Sequence, residues 1–247
     1  MVERLPYCGA APLPGMLLDR FNLDPVLIIA LLLLAAIHIG SVHTRRQRLH
    51  AAAGWTVAAA ALISPLCALS VALFSARIAQ HMILVLAAAP LIALALPRSP
   101  QRRDCWDLWA SAIAFFVALW FWHMPAPYDA TFASSAVYWS MHVTLVGSAL
   151  LLWRELLHMR AEQTVDALAA GAFTSMQMGL LGAVLALAGR PFYLWHLNST
   201  AAWNLTPLQD QQLGGVFMWV PGILLFLWGA IRALDRLRCA LAATKTA

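Results

Sequence analysis

Seven long apolar segments divide this sequence and restrict what it can fold into. A helix needs about 20 predominantly apolar residues to cross the hydrocarbon core of a bilayer, and each segment is close to that length. Apolar residues run through each segment without the alternation that the strands of a membrane barrel require. We therefore predict an all-α, polytopic membrane helix bundle with seven transmembrane helices. The segments lie at about residues 25–43, 52–74, 77–97, 106–123, 136–153, 167–188 and 212–231.

The charged residues are too few to cover a protein of this size with a surface that faces water. Only 11% of the residues are charged and 62% are hydrophobic, whereas about 25% of a typical soluble domain is charged. Lipid must therefore be the solvent for much of the chain. Pro65, Pro90 and Pro221 lie inside the apolar segments, where neighbouring helices can hydrogen-bond to the carbonyl groups that proline leaves unpaired.

The basic residues beside the apolar segments predict the orientation in the membrane. Twelve of the 16 Lys and Arg residues, with six acidic residues, lie on the side where the odd-numbered segments end. The opposite side carries four basic and five acidic residues. Because cytoplasmic loops are rich in Lys and Arg, we predict an outer N-terminus and an inner C-terminus. The predicted domains are an outer segment (1–24), a transmembrane domain (25–231) and a cytoplasmic tail (232–247).

The basic balance of the chain follows from this topology and does not indicate a nucleic-acid partner. The sequence pI is about 9.4, but the inner basic residues are split among four short segments without the interleaved aromatic residues that bind single strands. We find no signal-peptide pattern, a charged stretch followed by an apolar one, before the first segment. We therefore expect that segment itself to act as the membrane signal.

The four cysteines give no local pattern of a disulfide framework or of a thiolate cluster. Cys8 lies in the outer segment, Cys67 in the second span, and Cys105 and Cys239 at the inner face. Because none are paired at the Cys-x-x-Cys spacing, we expect four scattered small residues.

Four of the eight histidines fall on the outer side of the predicted topology. His81 lies roughly 6 Å below the outer end of the third span, at 1.5 Å per residue. His123 ends the fourth span, His142 lies inside the fifth, and His196 lies in the last outer loop. A single histidine near a helix end is commonly a hydrogen-bonded interfacial group. Three from three different spans at one level indicate a shared functional site, because ionisable groups at that depth are costly.

Methionines adjacent to these histidines suggest which metal such a site would prefer. Imidazole binds copper, zinc, iron or nickel, and thioethers select Cu(I). Neighbouring residues on a helix point about 100° apart, so a histidine and its adjacent methionine need not reach one ion, and the methionines can equally be core filling. The three adjacent methionines are Met82, Met124 and Met141.

Charged residues on the outer side supply candidate supporting groups. Asp210 opens the seventh span, where it can cap the helix or act as an electrostatic partner for a cation. Arg77 lies one turn before His81 and can pair with either Asp129 or Asp210; the sequence leaves that choice open. The sequence has no nucleophile at a recognisable distance from a base, no phosphate-binding loop and no His-Glu-x-x-His motif, so we predict that the protein is not an enzyme.

Several of these residues lie in motifs that resemble one family. The motifs are Gln80-His81-Met82, Trp122-His123-Met124-Pro125, His142 with Gly147 and Trp153, Trp195-His196, and Asp210-Gln211-Gln212-Leu213-Gly214-Gly215. Over residues 25–230 the chain resembles the bacterial CtaG-type cytochrome c oxidase assembly factors. The resemblance implies a multi-span protein of the bacterial inner membrane that helps to assemble a haem-copper terminal oxidase, at a copper centre. Members of the family carry a further histidine four residues before the one matching His81; here that place is Arg77.

These observations lead to one working hypothesis and two alternatives. Cu(I) would be the cargo, held on the outer side by His81, His123 and His142, supplemented by Met82, Met124 or Met141, and passed to an oxidase subunit. Supporting roles fall to Arg77, Asp129, His196 and Asp210. The alternatives are a haem-binding or electron-transfer membrane protein and a metal-free assembly scaffold.

Overall fold

The computed structural model describes residues 5–97, 105–159 and 161–245, and it has no strand within them. Each predicted apolar segment is helical, which confirms the all-α class. Short 3₁₀ helices connect the longer ones at Pro14–Asp19, Ala161–Gln163, Leu194–Leu197 and Thr200–Trp203. The α-helices are α1 (Pro25–Ser41), α2 (Arg45–Ile63), α3 (Leu66–Ala72), α4 (Phe74–Ile83), α5 (Ala89–Ala95), α6 (Cys105–Trp122), α7 (Pro125–Ala133), α8 (Ser135–His158), α9 (Thr164–Ala186) and α10 (Pro207–Lys245).

Several of these helices are long and apolar enough to cross a membrane. Four pass by length and composition: Phe74–Ala95, Cys105–Trp122, Ser135–His158 and Thr164–Ala186. A fifth is added if α2 and α3, which are bent by 46°, form one span. The protein is therefore a membrane protein by its helices, while the count of seven spans and the orientation stay predictions. Four basic residues used for the orientation, Arg98, Arg102, Arg103 and Arg160, lie outside the described residues.

A π-helical turn at Leu84–Ala88 joins α4 and α5 into one continuous span. Pro90 follows this turn and has no N–H, so it leaves a carbonyl group of the preceding turn without its usual donor. Trp153 on α8 supplies a replacement, because its Nε1–H donates to the carbonyl oxygen of Val85 at 2.8 Å. The span therefore keeps its proline, with α8 packed against it, as is general for bundled membrane helices.

The chain breaks at Leu73, and a carboxylate from α10 covers the new helix start. Leu73 is extended, so the first backbone N–H groups of α4 have no partner within the helix. Asp210 accepts from Phe74 N at 2.6 Å and from Ser75 N at 3.1 Å. The sequence left open whether Asp210 caps the seventh span or acts as an electrostatic partner for a cation. In the structure its carboxylate caps α4, which carries Arg77 and His81.

Glycines allow α9 and α10 to touch through their backbones. A Cβ atom on Gly215 would lie 2.6 Å from the Gly182 carbonyl oxygen and 2.6 Å from the backbone nitrogen of Ala186. On the preceding residue, a Cβ atom at Gly214 would meet the ring of Phe74 at 2.6 Å. Small residues permit this approach in membrane helices, so the glycine pair fixes α10 against both α9 and α4.

The N-terminal segment is held by a disulfide that the sequence analysis did not predict. Cys8 and Cys67 are bonded, with their Cα atoms 5.5 Å apart and a separation of 59 positions in the sequence. The expectation of four unpaired cysteines was wrong because it used only local spacing, whereas folding brings the outer segment onto the start of α3. Within the described residues, Cys105 is free and exposed.

The main hydrophobic core joins the helices that carry the histidines. Ile78 on α4, Leu119 on α6 and Leu145 on α8 are all fully buried in one cluster. The side chains of these three helices therefore converge, which brings together the histidines that lie on α4 and α8 and directly after α6.

We expect Gly215→Ala to lower the thermal unfolding midpoint of the detergent-solubilised protein. The added methyl group meets backbone atoms that cannot move aside, and overpacking of this kind costs about 1–3 kcal/mol. Gly147→Ala is the matched control, because nothing lies within 4 Å of its Cβ position on α8. An unchanged midpoint for Gly215→Ala would contradict the close packing of α9 and α10.

Candidate functional site

The fold brings together three of the four histidines that the sequence places on the predicted outer side. His81 lies in the last turn of α4, His123 directly follows α6, and His142 lies near the start of α8. The ring centroid of His81 is 6.0 Å from that of His123 and 5.4 Å from that of His142. Their exposed fractions are 1%, 5% and 4%, so the imidazole cluster is closed to solvent.

Hydrogen bonds fix the ring nitrogens that remain available. His123 Nδ1 lies 2.6 Å from the Leu119 carbonyl oxygen, and His142 Nδ1 lies 3.0 Å from the Tyr138 carbonyl oxygen. A carbonyl oxygen only accepts, so in both rings Nδ1 carries the hydrogen and Nε2 keeps a lone pair. Metal-binding histidines commonly have this arrangement, in which one nitrogen bonds a backbone carbonyl and the other faces the ion.

Four ring nitrogens of the imidazole cluster are buried without a hydrogen-bond partner. They are Nε2 of His123, Nε2 of His142, and both nitrogens of His81. Most buried polar atoms in proteins are hydrogen-bonded, and exceptions call for an explanation such as an ion or a function. These nitrogens belong to three rings of which His81 contacts the other two, so the explanation belongs to the cluster and not to a single residue.

The ring spacing is close to what one shared ion requires. Three imidazoles bound at a metal–nitrogen distance of about 2 Å place their ring centroids roughly 5–6 Å apart. The two measured separations are in that range, and His81 takes part in both. In the part of the chain that is described, however, no three His, Cys, Asp or Glu side chains stand in an arrangement that could hold a metal ion. The structure therefore offers two pairs of neighbouring imidazoles, each of which includes His81. Binding of one ion by all three imidazoles requires a rearrangement.

The three methionines beside the histidines have different surroundings. Met82 and Met141 are buried in the hydrophobic core, with 6% and 0% of their surface exposed. Met124 is 51% exposed at the start of α7. Thioether ligation stays a prediction for all three, and Met124 is the one open to solvent.

Arg77 is buried one turn before His81 and is held by aromatic rings. Its Nη1 donates to Thr131 Oγ1 at 2.8 Å, and its Nε donates to the Ser70 carbonyl oxygen at 3.3 Å. The guanidinium carbon lies 4.1 Å from the ring centroid of Phe132, with Tyr128 and Tyr138 somewhat further away. Faces of aromatic rings attract cations, so this aromatic cage stabilises the buried charge.

Neither of the two acids considered as partners of Arg77 pairs with it. The Asp210 carboxylate caps α4, and Asp129 Oδ1 is buried without a hydrogen-bond partner. Burial raises the pKa of the Asp129 carboxyl group above its usual value. The positive charge of Arg77 therefore remains beside the imidazole cluster without a carboxylate to compensate it among the described contacts.

His196, the fourth outer histidine, anchors a loop and has no free ring nitrogen. Its Nδ1–H donates to the Ala72 carbonyl oxygen at 3.2 Å, and its Nε2 accepts from the Tyr128 hydroxyl at 2.8 Å. Ser199 donates to the same Ala72 oxygen at 2.6 Å, and Trp195 donates to the Val71 oxygen at 3.2 Å. These bonds tie the loop before α10 to the end of α3, while a supporting role of His196 at the site stays a prediction.

Sequence reasoning did not identify the aromatic wall between the cluster and the outer segment. Tyr138 packs on His142 with ring centroids 4.3 Å apart, and Tyr7 stacks on Tyr138 at 4.8 Å. Thr131 and Phe132 were also missed, because they lie on α7, a helix of only nine residues that has no apolar period long enough to recognise. In the sequence, the Tyr128-Asp129 pair that follows the His123 motif was the feature that could have drawn attention to α7.

Fold and site together define an all-α membrane protein in which three helices bring together three buried imidazoles, with four ring nitrogens that have no hydrogen-bond partner. The family model described as cytochrome c oxidase caa3 assembly factor (Caa3_CtaG) matches residues 28–238. The chain belongs to this family, which confirms the resemblance found in the motifs. The chain has no match among curated proteins or among solved structures.

We expect acid to destabilise the protein partly through His196. Burial lowers the pKa of its imidazole to about 3, against about 6.5 in an unfolded chain. Between these values the unfolded state binds the extra proton, so the free energy of unfolding falls as the pH drops from 6.5 towards 3, by about 1.4 kcal/mol per pH unit at most. The thermal midpoint of His196→Gln should therefore depend less on pH than that of the wild type.

His43→Gln serves as the control for this measurement, because His43 is exposed. Its pH dependence should equal that of the wild type. Equal slopes for the wild type and His196→Gln would mean that His196 does not remain neutral in the folded protein.

Proposed function

We propose that the protein carries Cu(I) on the imidazole cluster and delivers it to a haem-copper terminal oxidase during assembly. The observation that carries the proposal is the set of four unpaired, buried nitrogens on His81, His123 and His142. Imidazole nitrogens are suitable copper ligands, and assembly of cytochrome c oxidase is the role named for the family. Copper is the cargo in this account and not a resident cofactor.

The charges around the cluster favour a monovalent ion. The three imidazoles are neutral ligands. The Arg77 guanidinium, on the same helix as His81, adds a buried positive charge nearby. Repulsion between two charges scales with their product, so Cu(I) meets half the repulsion that Cu(II) or Zn(II) would meet. Cu(I) also accepts sites with only two or three ligands, whereas structural zinc sites have four.

The incomplete geometry of the cluster suits a protein that must release its ion. His81 contacts both other rings, but the three do not stand as a ready metal site. An ion held by two imidazoles, with a third ligand available only after movement, is bound less firmly than in a closed structural site. A partner subunit that offers a complete ligand set can then remove it.

The topology that we propose has seven spans, with the cluster near the outer face of the bacterial inner membrane. The spans are α1, α2 with α3, α4 with α5, α6, α8, α9 and α10. The disulfide of Cys8 supports an outer N-terminal segment, because disulfides persist in oxidising compartments. The inner excess of basic residues supports a cytoplasmic C-terminus. The partners are then the lipid bilayer and an oxidase subunit docked at the outer face.

The proposal predicts that Cu(I) binding depends on two specific imidazoles. We expect His81→Ala and His142→Ala each to weaken Cu(I) affinity at least tenfold, measured by competition with a chromophoric Cu(I) chelator in detergent. His81→Ala should have the larger effect, since His81 takes part in both ring contacts. The control is His43→Ala, an exposed histidine far along the chain from the cluster, which should bind as the wild type does.

Three results would contradict this function. Equal affinity in the wild type and the cluster variants would remove the imidazoles from copper binding. A Soret absorption band at reproducible stoichiometry would favour the haem-binding alternative. Normal copper content in an oxidase that assembles poorly without this protein would favour a metal-free scaffold.

A further inference from the structure

Two sulfur atoms, those of Cys8 and Cys67, lie beside Tyr138 at the edge of the imidazole cluster. Cys67 is fully buried at the start of α3, and Cys8 is half-buried in the outer segment. Their disulfide links two parts of the chain that are otherwise 59 residues apart. The segment that carries Cys8 has no α-helix among its described residues 5–24. The disulfide adds a covalent attachment to the hydrogen bonds that Asn22 makes with the end of α2.

One aromatic side chain separates the sulfur pair from the imidazoles. The Tyr138 hydroxyl oxygen lies 3.5 Å from Cys8 Sγ and 3.8 Å from Cys67 Sγ. The ring of the same tyrosine packs against His142, with centroids 4.3 Å apart. A path therefore leads from the disulfide across Tyr138 to His142 and on to His81, entirely through described contacts.

We propose that the reduced pair of Cys8 and Cys67 is a second Cu(I) site, and that the disulfide is its closed state. The inference rests on the proposed function for the identity of the ion, but its ligands are different residues. Thiolate sulfur is a soft ligand that selects Cu(I), and two thiolates are enough for this ion. The fold already holds the two sulfurs side by side, with 5.5 Å between the Cα atoms.

The chemistry of opening balances with an external dithiol as reductant. The disulfide takes two electrons and two protons from the dithiol, whose own sulfurs become a disulfide, and Cys8 and Cys67 are released as thiols. Cu(I) then displaces both thiol protons to water and forms an anionic complex with two thiolates. Binding of the ion therefore requires a reduced pair, and the oxidised pair cannot bind it.

Because the imidazoles are buried, the thiol site can also control access to them. The three rings are at most 5% exposed, so an ion cannot reach them from water until part of the covering wall moves. The wall on this side consists of Tyr138 and of Tyr7, which stacks on Tyr138 and donates a hydrogen bond to Asp24. Breaking the disulfide removes the covalent restraint on Tyr7, so the event that creates the thiol site also loosens the cover of the imidazole cluster.

The test measures Cu(I) stoichiometry on the full-length protein in detergent, with the pair oxidised or reduced. All samples carry Cys105→Ser and Cys239→Ser, so that Cys8 and Cys67 are the only thiols. The protein is reduced with a dithiol, which is removed without oxygen, and is loaded with Cu(I) against a chelator. We expect one more Cu(I) per chain in the reduced than in the oxidised protein, with a near-ultraviolet thiolate-to-copper absorption band.

Two variants separate this inference from the imidazole site. Cys8→Ser changes a half-buried residue outside the bundle, and it should lose the redox-dependent equivalent and the absorption band while keeping the imidazole equivalent. His81→Ala should show the opposite loss. If His81→Ala binds as much Cu(I) as its parent, and one equivalent still depends on reduction, the proposed function fails at the imidazoles while the thiol site stands.

Equal Cu(I) stoichiometry of the oxidised and reduced proteins would overturn the thiol site and leave a structural disulfide only. The same conclusion follows if Cys8→Ser binds as much Cu(I) as the reduced parent. Alkylation of the reduced pair gives a second route to the same comparison, and it does not depend on the folding of a variant.

Discussion

The arrangement of this protein depends on the carboxylate of Asp210 at the start of α4. The chain breaks at Leu73, and the N–H groups of Phe74 and Ser75, which have no partner within the helix, donate to a residue 135 or more positions away. In a bilayer such groups have no water to bond, and each unsatisfied one costs several kcal/mol. The cap therefore fixes α4 against α10, and α4 in turn carries Arg77 and His81 into the bundle.

The same helix determines the electrostatics of the site. Arg77 brings a positive charge that aromatic rings hold, and four ring nitrogens of the imidazoles nearby have no hydrogen-bond partner. Four buried nitrogens without hydrogen-bond partners beside a cation do not stabilise a fold, because unsatisfied buried polar groups cost free energy. A site that receives a soft monovalent ion explains both features, since it needs neutral lone pairs and gains from a charge that discourages divalent competitors.

Much of the fold could be predicted because apolar segments of membrane length are a direct physical requirement. Every predicted segment is helical, and the expectation that His81, His123 and His142 share one place agrees with the ring contacts. What failed depends on contacts between distant residues. Asp210 caps another helix, Arg77 pairs with neither acid, and Cys8 bonds to Cys67, because these choices are made by packing and not by local spacing.

X-ray absorption spectroscopy of the disulfide-bonded protein, loaded with one equivalent of Cu(I), tests the central claim most directly. The account predicts a first shell of two or three nitrogen atoms at about 2 Å, with the outer-shell scattering of imidazole rings that disappears in His81→Ala. A first shell made only of sulfur, or a nitrogen shell that is the same in His81→Ala, would contradict it.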